Sequence, residues 1–170
     1  IAGLGKHGID TILCTPTATP PRWLTAHYPE VLRVDGNGRT MAHGSRQHAD
    51  TASPVFRTHS QRITRAMAEH YRDNPHVIGW QTDNEFGERC FCAHCRAGFQ
   101  RWLQHKYGTL EAVNAAWGTV FWSHEYSDWS QIPVAGGTIR PEAFGPAYHN
   151  PGLALDYTRF ISDTYVAFQR

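Results

Sequence analysis

The stretch HVIGWQTDNEFGERCFCAHC, residues 76–95, decides the fold. Its opening, HVIGWQT, is an apolar run with β-branched members and reads as a buried strand. The run breaks into Asp83, Asn84 and Glu85, and three cysteines follow within six residues, Cys90 to Cys95. A second apolar run, IDTILCT at 9–15, feeds the proline-rich loop TPTATPPRW, where Pro16, Pro20 and Pro21 forbid a helix. Strand, long loop, helix, strand, loop, helix is the rhythm of a parallel sheet. Both strands are apolar throughout, as strands covered on both faces must be, so the class is α/β. Two such strands cannot close a barrel or complete a doubly wound sheet alone.

The remaining elements follow from local signals. Residues 35–53 are polar and glycine-bearing, which predicts a long loop, and long loops in compact domains often carry function. Ser53-Pro54 supplies an N-cap and a first-turn proline, and Phe56, Ile63, Met67 and Tyr71 mark one face of a helix running to about Asp73. From Ala93, the spacing of Cys95, Phe99, Leu103 and Tyr107 gives another helix, closed by Gly108. Thr109 caps a shorter one through Trp117. WGTVFWSHEYSDWSQI is irregular and aromatic. Asn150-Pro151 starts the last helix, with Leu153, Tyr157, Phe160, Ile161, Thr164 and Phe168 on its inner side.

Sixteen basic and fifteen acidic residues leave a net charge of +1, which does not suit a polyanion binder, so nucleic acid is excluded as a partner. No run approaches the ~20 apolar residues that span a bilayer, so no membrane is expected. The chain starts at Ile1 without a signal-like segment and stops inside a helical pattern, and it reads as a piece of a longer protein. Four cysteines, three of them clustered, suit a metal site in a reducing compartment rather than a disulfide framework, and the cytoplasm is the expected location. Cys14, inside an apolar strand, reads as a buried small side chain. Eleven histidines and six tryptophans in a neutral chain fit a pocket for a polar, ring-shaped ligand, although much of the tryptophan is core. The histidines have no ligand spacing and read mostly as surface or loop residues.

In parallel α/β architectures the reacting groups sit beyond the carboxyl ends of the strands, and Glu85 occupies that place after HVIGWQT. A carboxyl group walled there by Trp80 and Phe86 would be desolvated and could hold a proton near neutral pH, as a general acid must. Asn84 beside it offers an amide to a sugar hydroxyl. Asn-Glu after a strand equally describes a solvated loop carboxylate, and Asp83 reads as a structural carboxylate at the strand end. Cys90, Cys92 and Cys95 can occupy three corners of a tetrahedral zinc, leaving one corner for a distant residue. Cys92-Ala-His-Cys95 also fits a redox pair at a helix start, where thiol pKa values fall.

Taken together, TPTATPPRWL (15–24), GSRQH (44–48), IGWQTDNEFG (78–87), CFCAHC (90–95) and AWGTVFWSHEYSDWSQI (116–132) resemble glycoside hydrolase family 42, the bacterial β-galactosidases. The resemblance covers nearly the whole chain in order. It implies part of a TIM (β/α)8 barrel of the clan A glycosidase type, with 1–170 a fragment of one catalytic domain, from about the third strand to the helix after the fourth. The activity implied is retaining hydrolysis of terminal β-D-galactosides, with Glu85 as acid/base and Asn84 as its sugar-contacting neighbour. Arg46 matches a galactose-binding arginine whose planar fork can donate to two adjacent oxygens. Zinc-binding members carry a cysteine four residues after that arginine, where this chain has Asp50. A carboxylate oxygen can ligate zinc, so Asp50 is the candidate fourth ligand of a structural site. The resemblance implies no cofactor for catalysis, a galactoside as substrate and a homotrimer as the assembly.

Two other readings compete. A non-catalytic zinc module would need a basic surface around the cysteines, yet within five residues only Arg89 and Arg96 are basic, and Glu85 and Glu88 offset them. A thiol oxidoreductase would need a reactive Cys92 and no zinc. A retaining mechanism also requires a second carboxylate roughly 5 Å from the acid. Asp83, Glu88, Glu125 and Glu142 are poor candidates, so the nucleophile is expected outside the chain. The piece by itself is then expected to be inactive and, with open strand edges, prone to aggregate.

Overall fold

A computed structural model describes residues 1–135 and 150–170; Glu142 lies outside the described residues. The chain forms two units, Ile1–Leu32 with Ala42–Glu88, and Arg33–Met41 with Arg89–Phe168.

The first unit runs through α1 (Ala2–Gly5), β1 (Thr11–Cys14), α2 (Arg22–His27), α3 (Pro54–Tyr71) and β2 (Val77–Gln81). β1 and β2 pair in parallel, with Ile12 opposite Gly79, Leu13 opposite Trp80 and Cys14 opposite Gln81. The ladder opens with Thr11 N–H donating to His76 O and closes with Thr15 N–H donating to Gln81 O, at 2.8 and 3.0 Å. Helices α2 and α3 lie in the crossover between the strands, the connection a parallel pair requires. Helix α2 starts directly after Pro21, whose fixed φ of −69° suits an N-cap, so the prolines bound a helix that the sequence reading leaves as loop. Ser53 Oγ accepts from Phe56 N–H at 3.3 Å and Pro54 opens the first turn of α3.

The strands are less covered than their apolar sequences predict. Ile12 is 61 % exposed and Ile78 64 % exposed. Ile12 shares a face with its partner Gly79, whereas Ile78, beside Gly79 in the strand, points the other way, so both faces carry open apolar side chains. Cys14 is exposed too, its thiol donating to Gln81 Oε1 at 3.5 Å, which corrects its reading as a buried side chain. The reason is the same in each case: among the described residues, no layers enclose this sheet on both sides.

The second unit is built on α4 (Ala93–Tyr107), α5 (Leu110–Trp117) and α6 (Pro151–Gln169). Thr109 Oγ1 caps α5 and Asn150 Oδ1 caps α6, each accepting first-turn N–H groups. Gly108 and Gly118 end α4 and α5 at φ of +77° and +61°, a region that favours glycine. Phe99, Leu103, Val113 and Tyr157 form the buried centre, with the Phe99 and Tyr157 rings edge to face at 5.0 Å. A short hairpin brings Val34 against Thr40, and the Asp35 carboxylate accepts from Asn37 and Arg39 N–H across its turn. Phe91 N–H donates to Val34 O at 2.9 Å, tying the cysteine segment to that hairpin. Between α5 and the described end at residue 135 the chain makes two 3-10 turns, at Phe121–Ser123 and Trp129–Gln131.

Candidate active site

Because β1 and β2 are parallel, their carboxyl ends share one edge, and the polar residues of the first unit collect there. Thr15, just past β1, accepts from Asp83 N–H through its hydroxyl at 2.7 Å. Asp83 is buried, and its carboxylate accepts from Asn84 N–H at 2.6 Å, which makes it a structural group at the strand end. Gln81 Nε2 donates to Asn84 Oδ1 at 2.9 Å. That bond leaves the Asn84 NH2 as the part of the side chain available to donate elsewhere.

Glu85 follows, paired with Arg46 Nη2 from the long loop. The two side chains are 71 % and 60 % exposed. Trp80 and Phe86 are themselves exposed, so the desolvating wall that the sequence predicts around Glu85 is not present within this unit. What surrounds Glu85 instead is polar and well anchored. Ser45 Oγ donates to Ala42 O at 2.9 Å, and His48 Nδ1–H donates to Ser45 O at 2.5 Å. His48 is a loop histidine, as expected from sequence, but its ring is fully buried. Its ring meets that of His43 edge to face at 4.9 Å, and burial, with His48 and Arg22 nearby, lowers the His43 pKa. Gln47 donates to the carbonyls of Asn84 and Glu85. Arg46, Asn84 and Glu85 are thus brought together at the strand ends. Gln47 and His48 have no signal in the sequence beyond their place beside Arg46.

In the second unit the sulfurs of Cys90, Cys92 and Cys95 lie within 4.8 Å of one another. None of the three is in a disulfide. Cys92 is the N-cap of α4 and its Sγ accepts from Cys95 N–H at 3.3 Å, while Cys90 Sγ accepts from Val34 N–H at 3.5 Å. Tyr157 O–H donates to Cys90 O. Sulfurs gathered this closely, two of them accepting backbone N–H groups, form a thiolate donor set that could hold a metal ion. Arg96 is spent on structure, donating to the carbonyls of Ile132 and Ser130. Asp50, in the first unit, is 3 % exposed; its N–H donates to Val31 O and its Oδ1 accepts from Ala52 N–H at 2.9 Å.

Comparison with known proteins identifies the family of the chain. A β-galactosidase family model matches residues 1–170. The chain is 43 % identical over 171 residues to β-galactosidase Bga of Halorubrum lacusprofundi, covering 98 % of this chain and 23 % of that protein. It is 44 % identical over 174 residues to a β-galactosidase of Thermus thermophilus, covering 100 % and 26 %. The solved structure of Gan42B, a family 42 β-galactosidase from G. stearothermophilus, superposes with a TM-score of 0.89 at 40 % identity, over 99 % of this chain and 24 % of that one. The chain therefore spans about a quarter of the length of the relatives it matches. Its fold is a partial (β/α)8 barrel of the clan A glycosidase type. With every residue matched and the strand-end polar cluster in place, the chain belongs to the β-galactosidases of glycoside hydrolase family 42.

Proposed function

We propose that this chain carries the acid/base half of the active site of a retaining β-galactosidase. The observation that carries the reading is Glu85 held at the carboxyl end of β2 against Arg46, the position from which parallel barrels act. In the first step Glu85 donates its proton to the glycosidic oxygen as the bond to the anomeric carbon breaks, and a second carboxylate outside this chain takes that carbon covalently. In the second step Glu85, now a carboxylate, removes a proton from water as the water attacks, which releases galactose and restores the acid. Arg46 holds the Glu85 carboxylate and, with Asn84, donates to sugar hydroxyls; the bond from Gln81 turns the Asn84 NH2 toward that use. Because Glu85 is open in this unit, its desolvation falls to the bound galactoside and the rest of the barrel. Residues 1–170 correspond on this reading to the region from about the third strand to the helix after the fourth.

The test is Glu85→Gln in the enzyme that carries this chain. Hydrolysis of galactosides with poor leaving groups should fall by about 10²–10⁴-fold, while galactosyl-enzyme formation from activated aryl galactosides persists, because a good leaving group departs without a proton. Equal loss of that step for both substrates would sink the acid role.

Zinc would be held by Cys90, Cys92 and Cys95, with Asp50 as fourth ligand from its position four residues after Arg46. Its contribution would be structural, fixing loops near the pocket rather than meeting substrate. Protein prepared without chelator should hold about one equivalent, the count expected for a single tetrahedral site. Asp50→Ala should weaken binding and Asp50→Cys tighten it. Metal analysis finding no zinc would remove the site, and unchanged affinity in Asp50→Ala would remove only the fourth ligand.

A further inference from the structure

We infer that Gln47 is a positioning residue for the reaction, clamping the backbone that carries Asn84 and Glu85; the inference rests on the acid/base reading of Glu85. Its side-chain Nε2 donates to Asn84 O at 2.6 Å and to Glu85 O at 2.7 Å. One amide has two hydrogens, and both are spent on the carbonyls of the two residues assigned to meet the sugar. Gln47 is half-buried and follows Arg46 directly, so the same loop delivers the guanidinium to the Glu85 carboxylate and the amide to the Glu85 main chain.

Backbone geometry shows why a clamp is needed. Among the described residues the non-glycine positions with positive φ are Gln47 at +53°, Asp83 at +57°, Glu85 at +47° and Ser123 at +54°. Three of these four belong to the strand-end cluster. Such conformations are strained for residues other than glycine and persist only where surrounding bonds over-determine them. Asp83 is held by Thr15 below and by its own carboxylate on Asn84 N–H. Among the described residues the Glu85 side chain has only Arg46, and in open solvent an exposed ion pair is a weak restraint. The bonds from Gln47 to the two carbonyls supply the missing restraint. Without them the 84–85 segment can relax toward ordinary negative φ, which swings the Glu85 carboxyl away from the glycosidic oxygen while leaving its chemistry intact.

The test compares Gln47→Met, which keeps the length and loses both N–H donors, with Gln47→Arg, which keeps two donors on a long side chain, in the enzyme that carries this chain. Displacing a catalytic group by about 1 Å costs on the order of 10²-fold. Gln47→Met should lower kcat on alkyl galactosides by ~10–100-fold, with KM and the thermal midpoint little changed, and should lower galactosyl-enzyme formation from activated aryl galactosides by less than ~3-fold. Gln47→Arg should recover most of the loss. Equal loss on both substrates, no loss, or no recovery in Gln47→Arg would overturn the inference. Should Gln47→Met fail to fold, Gln47→Ser is judged by the same substrate comparison. Glu85→Gln measured in parallel separates the two claims. If that variant fails to discriminate leaving groups, the acid reading falls; if it discriminates and Gln47→Met does not, only the clamp falls.

Discussion

Two of the carboxylates that pair with basic side chains, Asp156 and Glu85, are built in opposite ways. Asp156, in the second unit, is 2 % exposed at its side chain and accepts from Lys106 Nζ at 2.5 Å, Tyr107 O–H at 2.6 Å, Trp117 Nε1 at 3.0 Å and Arg159 Nη1 at 3.1 Å. Glu85, in the first unit, has a solvent-facing side chain and takes one arginine. Every direction around Asp156 is filled by a donor, so it has no room for a reacting atom, and its work is to join α4, α5 and α6. Glu85 keeps an open side, where a glycosidic oxygen or a water can come. A carboxylate with every donor direction filled serves structure, whereas one with an open side is free to serve the acid/base role proposed for Glu85.

Asp156→Asn should break the comparison at its strongest point. Removing one partner from a buried ionic cluster costs about 3–5 kcal/mol, and the loss should appear as a large drop in the denaturation midpoint of the second unit with no direct effect on bond-breaking. The pH dependence sharpens it further. Burial pushes the Asp156 pKa up, but the donations from Lys106, Tyr107, Trp117 and Arg159 outweigh it and hold it below the ordinary carboxylate value. A carboxylate depressed in the folded state contributes stability above its unfolded pKa of about 3.9 and loses it as pH falls through the folded value. The gap between wild type and Asp156→Asn should therefore stay constant from about pH 8 to pH 5 and narrow only in more acid solution. A gap that closes near neutrality would mean the ionised form does not hold the cluster.

Arg46→Met should give the reverse profile. The pair with Glu85 is solvent-exposed, and such pairs contribute about 0–1 kcal/mol, so the midpoint should barely move while KM for galactosides rises. A midpoint drop as large as that of Asp156→Asn would show that the strand-end pair is structural after all. The smallest stability effect belongs to Glu85→Gln, within about 0.5 kcal/mol, since the substitution keeps the side chain's shape at an open site.

What could be read from sequence follows from how local each signal is. Ser53, Thr109 and Asn150 are legible as helix starts because an N-cap is decided by a residue and the two or three after it. The place of Glu85 at the strand end is legible from the apolar run before it, and the gathering of the cysteines from their spacing. Gln47 is not, because its role depends on a positive φ and on carbonyls 37 and 38 residues away. The exposure of Cys14, Ile12 and Ile78 was illegible for another reason: an apolar strand sequence reports the layers the fold is made for, not those the described residues supply. Asp156 had a usable signal that the helical pattern passed over. It stands between Leu153 and Tyr157 on the inner stripe of α6, where an acidic residue must be buried with partners.

Thr15 has a consequence in time rather than in space. Its main-chain N–H donates to Gln81 O, and its buried hydroxyl accepts from Asp83 N–H and lies 3.1 Å from Thr17 Oγ1. The amide of Asp83 belongs to the loop that leads into Glu85, yet it is sealed by the residue just past β1 and can meet deuterium only when the strand end opens. Its isotope exchange is thus a clock for how often the strand-end corner comes apart. In Thr15→Val that clock should run faster at Asp83 while Leu13 and Gln81 keep their pace, and an unchanged Asp83 rate would place the seal elsewhere.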